Sequence, residues 1–170
     1  MFETIAYGLI STVINYLFDT SVLRTSTVDI EGAPYWYEQK GGKEALYVSA
    51  YCDGGMEAVE CAKNAVREKL VIVIDDAFDQ AVEKSFGHYK GQEKMFVEKM
   101  REDTNLPLFV RRHTVFQNVK YDEGEHRAFV RGYLTNRALE AYEKERISEV
   151  KKEVLDYHYD EMMKELDEAS

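Results

Sequence analysis

From Met56 to about Phe86, apolar residues return at helical spacing through Val59, Ala62, Val66, Leu70, Val73, Ile74, Ala77, Phe78, Ala81 and Val82. The run covers about eight turns, and no other feature of the chain limits its fold so strongly. Leu70 to Ile74 alone would pass for a buried strand. The stripe continues on both sides with no turn residue between, and that decides for helix. Gly87 interrupts it. A second helical stretch follows from Gln92 to about Arg101, with Met95, Phe96 and Met100 apolar.

Strands flank this region. Ala45 to Tyr51 follows Gly41-Gly42 and is stopped by Asp53-Gly54-Gly55. Tyr47, Ser49 and Tyr51 share one face of it; Leu46, Val48 and Ala50 share the other. Asn105-Leu106-Pro107 ends the helical region, and two runs, Leu108 to Tyr121 and His126 to Leu134, read as a hairpin. Its turn is Asp122-Glu123-Gly124, with Gly124 suited to positive φ. Thr135 or Asn136 caps a last helix, Arg137 to about Glu168, which at about 1.5 Å per residue approaches 50 Å. Its apolar positions (Leu139, Tyr142, Ile147, Val150, Val154, Tyr157, Met162, Leu166) form a thin seam in a charged sequence. Part of that helix is expected to run past the core, free or against another subunit. The order β-α-α-β-β-α predicts an α+β fold: a three-stranded antiparallel sheet packed on one face by a long helix pair, with an amphipathic helix before it.

A chain of 170 residues, 45% hydrophobic and 32% charged, reads as one globular domain. We divide it into a leader helix and linker (1–31) and a single α+β domain (32–170). Residues 4–18 carry no charge. Ile5, Leu9, Val13 and Leu17 form one stripe of the leader, and Tyr7, Ser11, Thr12, Asn15 and Tyr16 lie opposite. The stretch is short for a membrane span, lacks the basic start and cleavage site of a secretory signal, and has no lipid-accepting cysteine. Such a helix can lie in a membrane interface, dock on a partner, or fold back on its own body. Interfacial helices usually carry Lys or Arg on the polar face, so docking against protein, its own or a neighbour's, is expected. Ala33-Pro34-Tyr35-Trp36 then separates leader from body. Pro34 fixes its own φ and biases Ala33 toward extended structure, and Trp36, the only tryptophan, pins that step to a core.

The formal net charge of −10 disfavours phosphate-backbone binding, and no nucleic-acid signature is present. The charge is uneven. Residues 107–137 carry six Lys/Arg against three Asp/Glu, whereas residues 138–170 carry five against eleven. A basic hairpin with Arg111, Arg112, Arg127 and Arg131 is therefore expected to attract the acidic helix, within one chain or between neighbours. Asp75 and Asp79 share a helix face and read as solvated polar surface rather than metal ligands or catalytic carboxylates. Of the four histidines, His88 and His158 stand apart, and His113 and His126 are expected to face each other across the hairpin. There is no phosphate loop, nucleophile elbow or Cys/His pairing, so neither enzymatic activity nor a cofactor or metal is expected. Cys52 and Cys61 match no zinc or redox spacing and are expected as buried free thiols; a disulfide would imply an oxidising compartment.

Several short patterns occur in a familiar order. They are Gly32-Ala33-Pro34-Tyr35-Trp36, the strand ending near Ala50, the long helix from Met56, Arg127-Ala128-Phe129-Val130-Arg131-Gly132-Tyr133-Leu134, and the helix after it. Over roughly residues 32–147 this resembles the small outer-membrane lipoprotein family of Helicobacter and its relatives. That family includes the flagellar basal-disc protein FlgP, and the secreted TNF-alpha-inducing protein has a related architecture. The resemblance implies a non-enzymatic cell-envelope protein that acts through assembly, with an envelope or flagellar partner and an outer-membrane-associated location. Residues 1–23 hold no lipobox cysteine, so peripheral contact rather than a lipid anchor is expected. The chain is therefore expected to be a structural, self-associating homo-oligomer of the envelope. The alternative is a soluble or secreted dimeric binding module, and the alternative location is cytoplasmic. The residues expected to carry interaction are Ile5, Leu9, Val13 and Leu17 on the leader and Trp36, Arg111, Arg112 and Arg131 on the body.

Overall fold

A computed structural model describes residues 2–18, 30–39, 41–85 and 89–170. In chain order these form α1 (Phe2–Phe18), β1 (Ala45–Asp53), α2 (Ala58–Ser85), α3 (Gln92–Arg101), α4 (Leu106–His113), β2 (Val115–Asp122), β3 (Arg127–Thr135) and α5 (Asn136–Ala169). The fold is α+β, and its sheet is antiparallel in the order β1-β3-β2. The break expected at Gly87, residue His88 and leader residues 19–23 lie outside the described residues.

The central strand sets the packing. Leu46 pairs with Leu134, Val48 with Gly132 and Ala50 with Val130. α2 lies across β1 and β3, burying Ala58, Ala62, Val66, Leu70 and Ile74 at four-residue intervals. Gly132 lets the helix approach. A Cβ there would sit 2.9 Å from Val66 Cγ1 and 3.2 Å from the Val115 carbonyl oxygen, so any side chain would push helix or edge strand away. The sheet is served by one long helix rather than the expected pair. α5 meets β3 where the chain passes from one to the other, and otherwise packs on α3 and α1.

Residues 108–113, expected to open a strand, form α4 instead, together with Leu106 and Pro107, which were expected to end the helical region. Pro107 occupies the first turn, where a missing N–H leaves no bond unmade. Leu106, Phe109 and Val110 are buried at helical spacing, and Arg111, Arg112 and His113 fill the last turn, where cations suit the helix dipole. The hairpin strand therefore begins at Val115, and His113 does not face His126 across it. His126 lies in the hairpin turn and takes the positive φ, at 48°, that was expected at Gly124. Thr135 caps α5, its hydroxyl accepting from the Ala138 N–H at 3.1 Å.

No helix among the described residues is long and apolar enough to cross a membrane.

Candidate interaction surface

The leader residues lie inside the body. Leu9, Val13 and Leu17 are each no more than 3% exposed, and α1 packs on α2, α5 and α3. Ile5 is half-buried against the same core. Phe2 stacks on Phe96 with ring centroids 5.1 Å apart. Lys151 of α5 donates to Glu3 and, through that bond, holds the Glu3 carboxyl down at about 2. The apolar stripe of α1 is thus spent on its own chain.

Trp36 and Arg131 belong to one buried arrangement on the sheet face opposite α2. Residues 30–39 cross that face. Arg131 is 4% exposed and donates to the Trp36 carbonyl, while its guanidinium lies 4.7 Å from the centre of the Tyr47 ring. Burial lowers its pKa, so the contact costs desolvation and is repaid by the carbonyl and the ring. Tyr37 sets its edge on Phe129 at 5.6 Å, and burial pushes its phenol up to about 12. Arg127 closes the far end, gripping Asp53 with two nitrogens and donating to the Glu31 carbonyl. Gly41 completes the strap, because a Cβ there would fall 2.0 Å from the Tyr47 ring. Arg131 and Trp36 fasten the strap and are closed to an outside partner.

Arg111 and Arg112 are exposed, but at the end of α4 and not on the hairpin, so the hairpin lacks half of its expected basic residues.

A second buried polar cluster joins α3, α4 and α5. Arg146 donates to the Lys99 and Met100 carbonyls at 3.3 and 2.6 Å, capping α3, and pairs with Asp103 at 3.3 Å. The Tyr142 hydroxyl meets both Asp103 oxygens at 2.9 and 2.7 Å, and its ring stacks on Phe109 at 4.1 Å. Glu143, 1% exposed, reaches Arg146 with one oxygen while the other has no partner. Burial pushes its carboxyl up to about 7 against the opposing pull of Arg146. Nearby, Asp75 and Asp79 line an open groove with Glu98, Arg101, Glu102, Asp103 and Thr104. Arg101 pairs with Asp79 at 2.7 Å. Burial, followed by the carboxylates of Asp103, Asp79 and Asp76, raises the Asp75 pKa. No set of three or more His, Cys, Asp or Glu among the described residues is placed to hold a metal.

Cys52 and Cys61 are joined. Their Cα atoms lie 5.9 Å apart and the sulfurs form a disulfide, against the expectation of free thiols. The reason is the short turn at Asp53-Gly54-Gly55. It brings the first turn of α2 back beside the end of β1, and Cys61 is exposed rather than buried.

What remains open is the far half of α5. Its buried face runs through Leu139, Glu143, Arg146, Ile147, Val150 and Val154. Beyond Val154 none of its residues is buried. Leu155, Tyr157, Tyr159, Met162, Met163 and Leu166 are 41–61% exposed. At the root of this segment a groove between α1 and α5 is lined by Glu3, Tyr7, Lys144, Ile147, Lys151, Lys152 and Leu155 among others. The sequence seam had included Tyr157, Met162 and Leu166 but not Leu155 or Tyr159, whose spacing is visible only once the buried face is known.

No known protein family, curated protein or solved structure matches the chain.

Proposed function

We propose that this chain is a non-enzymatic, self-associating structural protein of the cell envelope, of the flagellar basal-disc scaffold type. One observation carries the reading: half of the longest helix keeps large apolar residues in solvent after the body has closed its core. Exposed apolar patches of this kind usually mark surfaces of association. The buried and half-buried polar groups support the same reading. Arg131, Arg127, Arg146 and Tyr142 are each engaged in holding segments of the fold together. The Cys52–Cys61 disulfide favours an oxidising side of the membrane. With α1 seated in its own core, association falls to α5 and to the exposed basic end of α4.

A second reading is a soluble or secreted dimeric binding module. It is favoured by the clustering of six exposed apolar residues on the far half of one helix, which suits a single closed pairing. Fractionation of the untagged protein from its own cells separates the two. Recovery with envelope or basal-body material supports the scaffold. Recovery as a discrete soluble dimer removes it and leaves the binding module.

A further inference from the structure

We propose that Glu143 and Asp103 share the one positive charge of Arg146 as a proton-operated latch, which holds α3 against α5 while the carboxyl pair carries a proton and releases α3 when that proton leaves. The latch operates within one copy, however the chain associates. Its side chains are buried: those of Arg146 and Asp103 are each 7% exposed and that of Glu143 1%. Two carboxylates against one guanidinium leave an excess negative charge in a site that water does not reach, and a proton on one of them removes it. The hydrogen bonds decide which. Asp103 receives the Asn105 N–H at 3.0 Å and the Tyr142 hydroxyl at 2.7 Å, and pairs with Arg146 Nε at 3.3 Å, the surroundings of an ionised carboxylate. Glu143 has one long contact, 3.4 Å to Arg146 Nη1, and its second oxygen is buried without a partner. The proton therefore rests on Glu143, whose carboxyl burial pushes up to about 7.

Loss of that proton turns Arg146 against its own cap. In the latched state its Nη2 donates to the Lys99 and Met100 carbonyls at 3.3 and 2.6 Å, groups that the end of α3 cannot satisfy for itself. An ionised Glu143 competes with those carbonyls for the guanidinium, and water reaches its bare oxygen only if the packing around it opens. α3 is ten residues long and is seated by Phe96, Val97 and Met100; a helix so short does not hold in water without that seat. The charges nearby do not compensate. Lys99 is turned to Glu153 at 3.2 Å, Arg101 to Asp79 at 2.7 Å, and Lys151 to Glu3. Asp75 of α2 acts on the same Asp103 and Arg146 and adds acid. From α4 comes Phe109, stacked on Tyr142, with His113 4.8 Å from its ring. Tyr142 stays a donor, because burial and then Asp103 push its phenol upward. The latched state thus holds a proton that an opened Glu143, at its ordinary value of 4.5, gives up. Closure is favoured at low pH and weakens as pH rises toward about 7.

Hydrogen exchange of the full native chain tests the latch, read on peptides from α3 and β3 and corrected for the chemical rate at each pH. Corrected exchange in α3 should speed up about tenfold or more between about pH 5 and 8. At about pH 8 it should also run about tenfold or more ahead of β3, because the opening is local. Glu143→Gln keeps a neutral side chain of the same shape and should hold α3 at its low-pH protection throughout. Asp75→Asn and His113→Gln should keep the native response. A native α3 whose corrected exchange does not change with pH overturns the latch. So does equal protection of α3 and β3, which would mean that α3 opens only with the whole fold. A response that survives in Glu143→Gln, or vanishes in either of the other variants, puts the proton elsewhere and overturns it too. The native comparison of α3 with β3 needs no variant and decides on its own should Glu143→Gln fail to fold.

Discussion

Opening the Cys52–Cys61 bond should cost this chain a measurable share of its stability. The bridge closes a loop with a sequence separation of nine. In the chain-entropy account, a loop of that size removes about 3 kcal/mol of freedom from the unfolded state. The folded state loses little else, because Cys61 is exposed and Cys52 half-buried. For a chain of this length each kcal/mol moves the melting temperature by about 2–4 °C, so a drop of about 5–10 °C is expected. The assay is thermal and urea unfolding of three samples: the native chain, the native chain with reductant, and a Cys52→Ala/Cys61→Ala variant. Reductant should bring the native chain down to the variant and should not move the variant further. Equal melting of oxidised and reduced native protein, with both thiols titrating before reduction, would refute the bridge. The argument for an oxidising compartment would fall with it.

Two core positions give further checks. Gly132→Ala places a Cβ 2.9 Å from Val66 and 3.2 Å from a strand carbonyl, and should destabilise the fold by about 1–3 kcal/mol in urea titration. Loss of less than a few tenths would mean that α2 does not approach the central strand so closely. Glu143→Gln should alter the pH dependence of stability. The folded Glu143 carboxyl is raised to about 7 from an ordinary value of 4.5, so the contribution of its protonated form is full at low pH and is lost as pH rises through about 7. The variant should therefore gain on the native chain between about pH 4.5 and 7 by an amount on the order of a few kcal/mol; parallel profiles would place Glu143 in water.

The fold was legible where periodicity was long. The stripe from Val59 to Val82 has one reading, because only a helix buries every fourth residue for seven turns or so. The stretch from Leu106 to His113 was not legible in the same way. Leu, Phe and Val in a row suit a strand equally well, and Pro107 reads as a terminator unless it falls in a first turn, where it starts a helix. Misplacing α4 moved Arg111, Arg112 and His113 onto the hairpin, and the expected histidine pair went with them. The strap from Glu31 to Gln39 shows a second limit. Trp36 read as a residue pinned to a core and is buried, but Arg131 read as a hairpin charge held out for a partner. No local pattern says that a strand arginine will bury itself under a carbonyl contributed from 95 positions away. The disulfide was missed because a two-glycine turn allows several distances between the residues that flank it.

The basic end of α4 bears on the proposed assembly. Arg111 and Arg112 stand exposed in its last turn, and the far end of α5 carries Glu161, Glu165, Asp167 and Glu168 against Lys164. A contact between these two ends in neighbouring copies closes at two where it is returned and continues into rings or filaments where it is not. Arg111→Glu with Arg112→Glu should then weaken association about tenfold, read by sedimentation at low salt, where such surface contacts are strongest. Association unchanged within about twofold in that variant would mean that the arginines take no part, and would leave the exposed apolar residues of α5 to carry self-association alone.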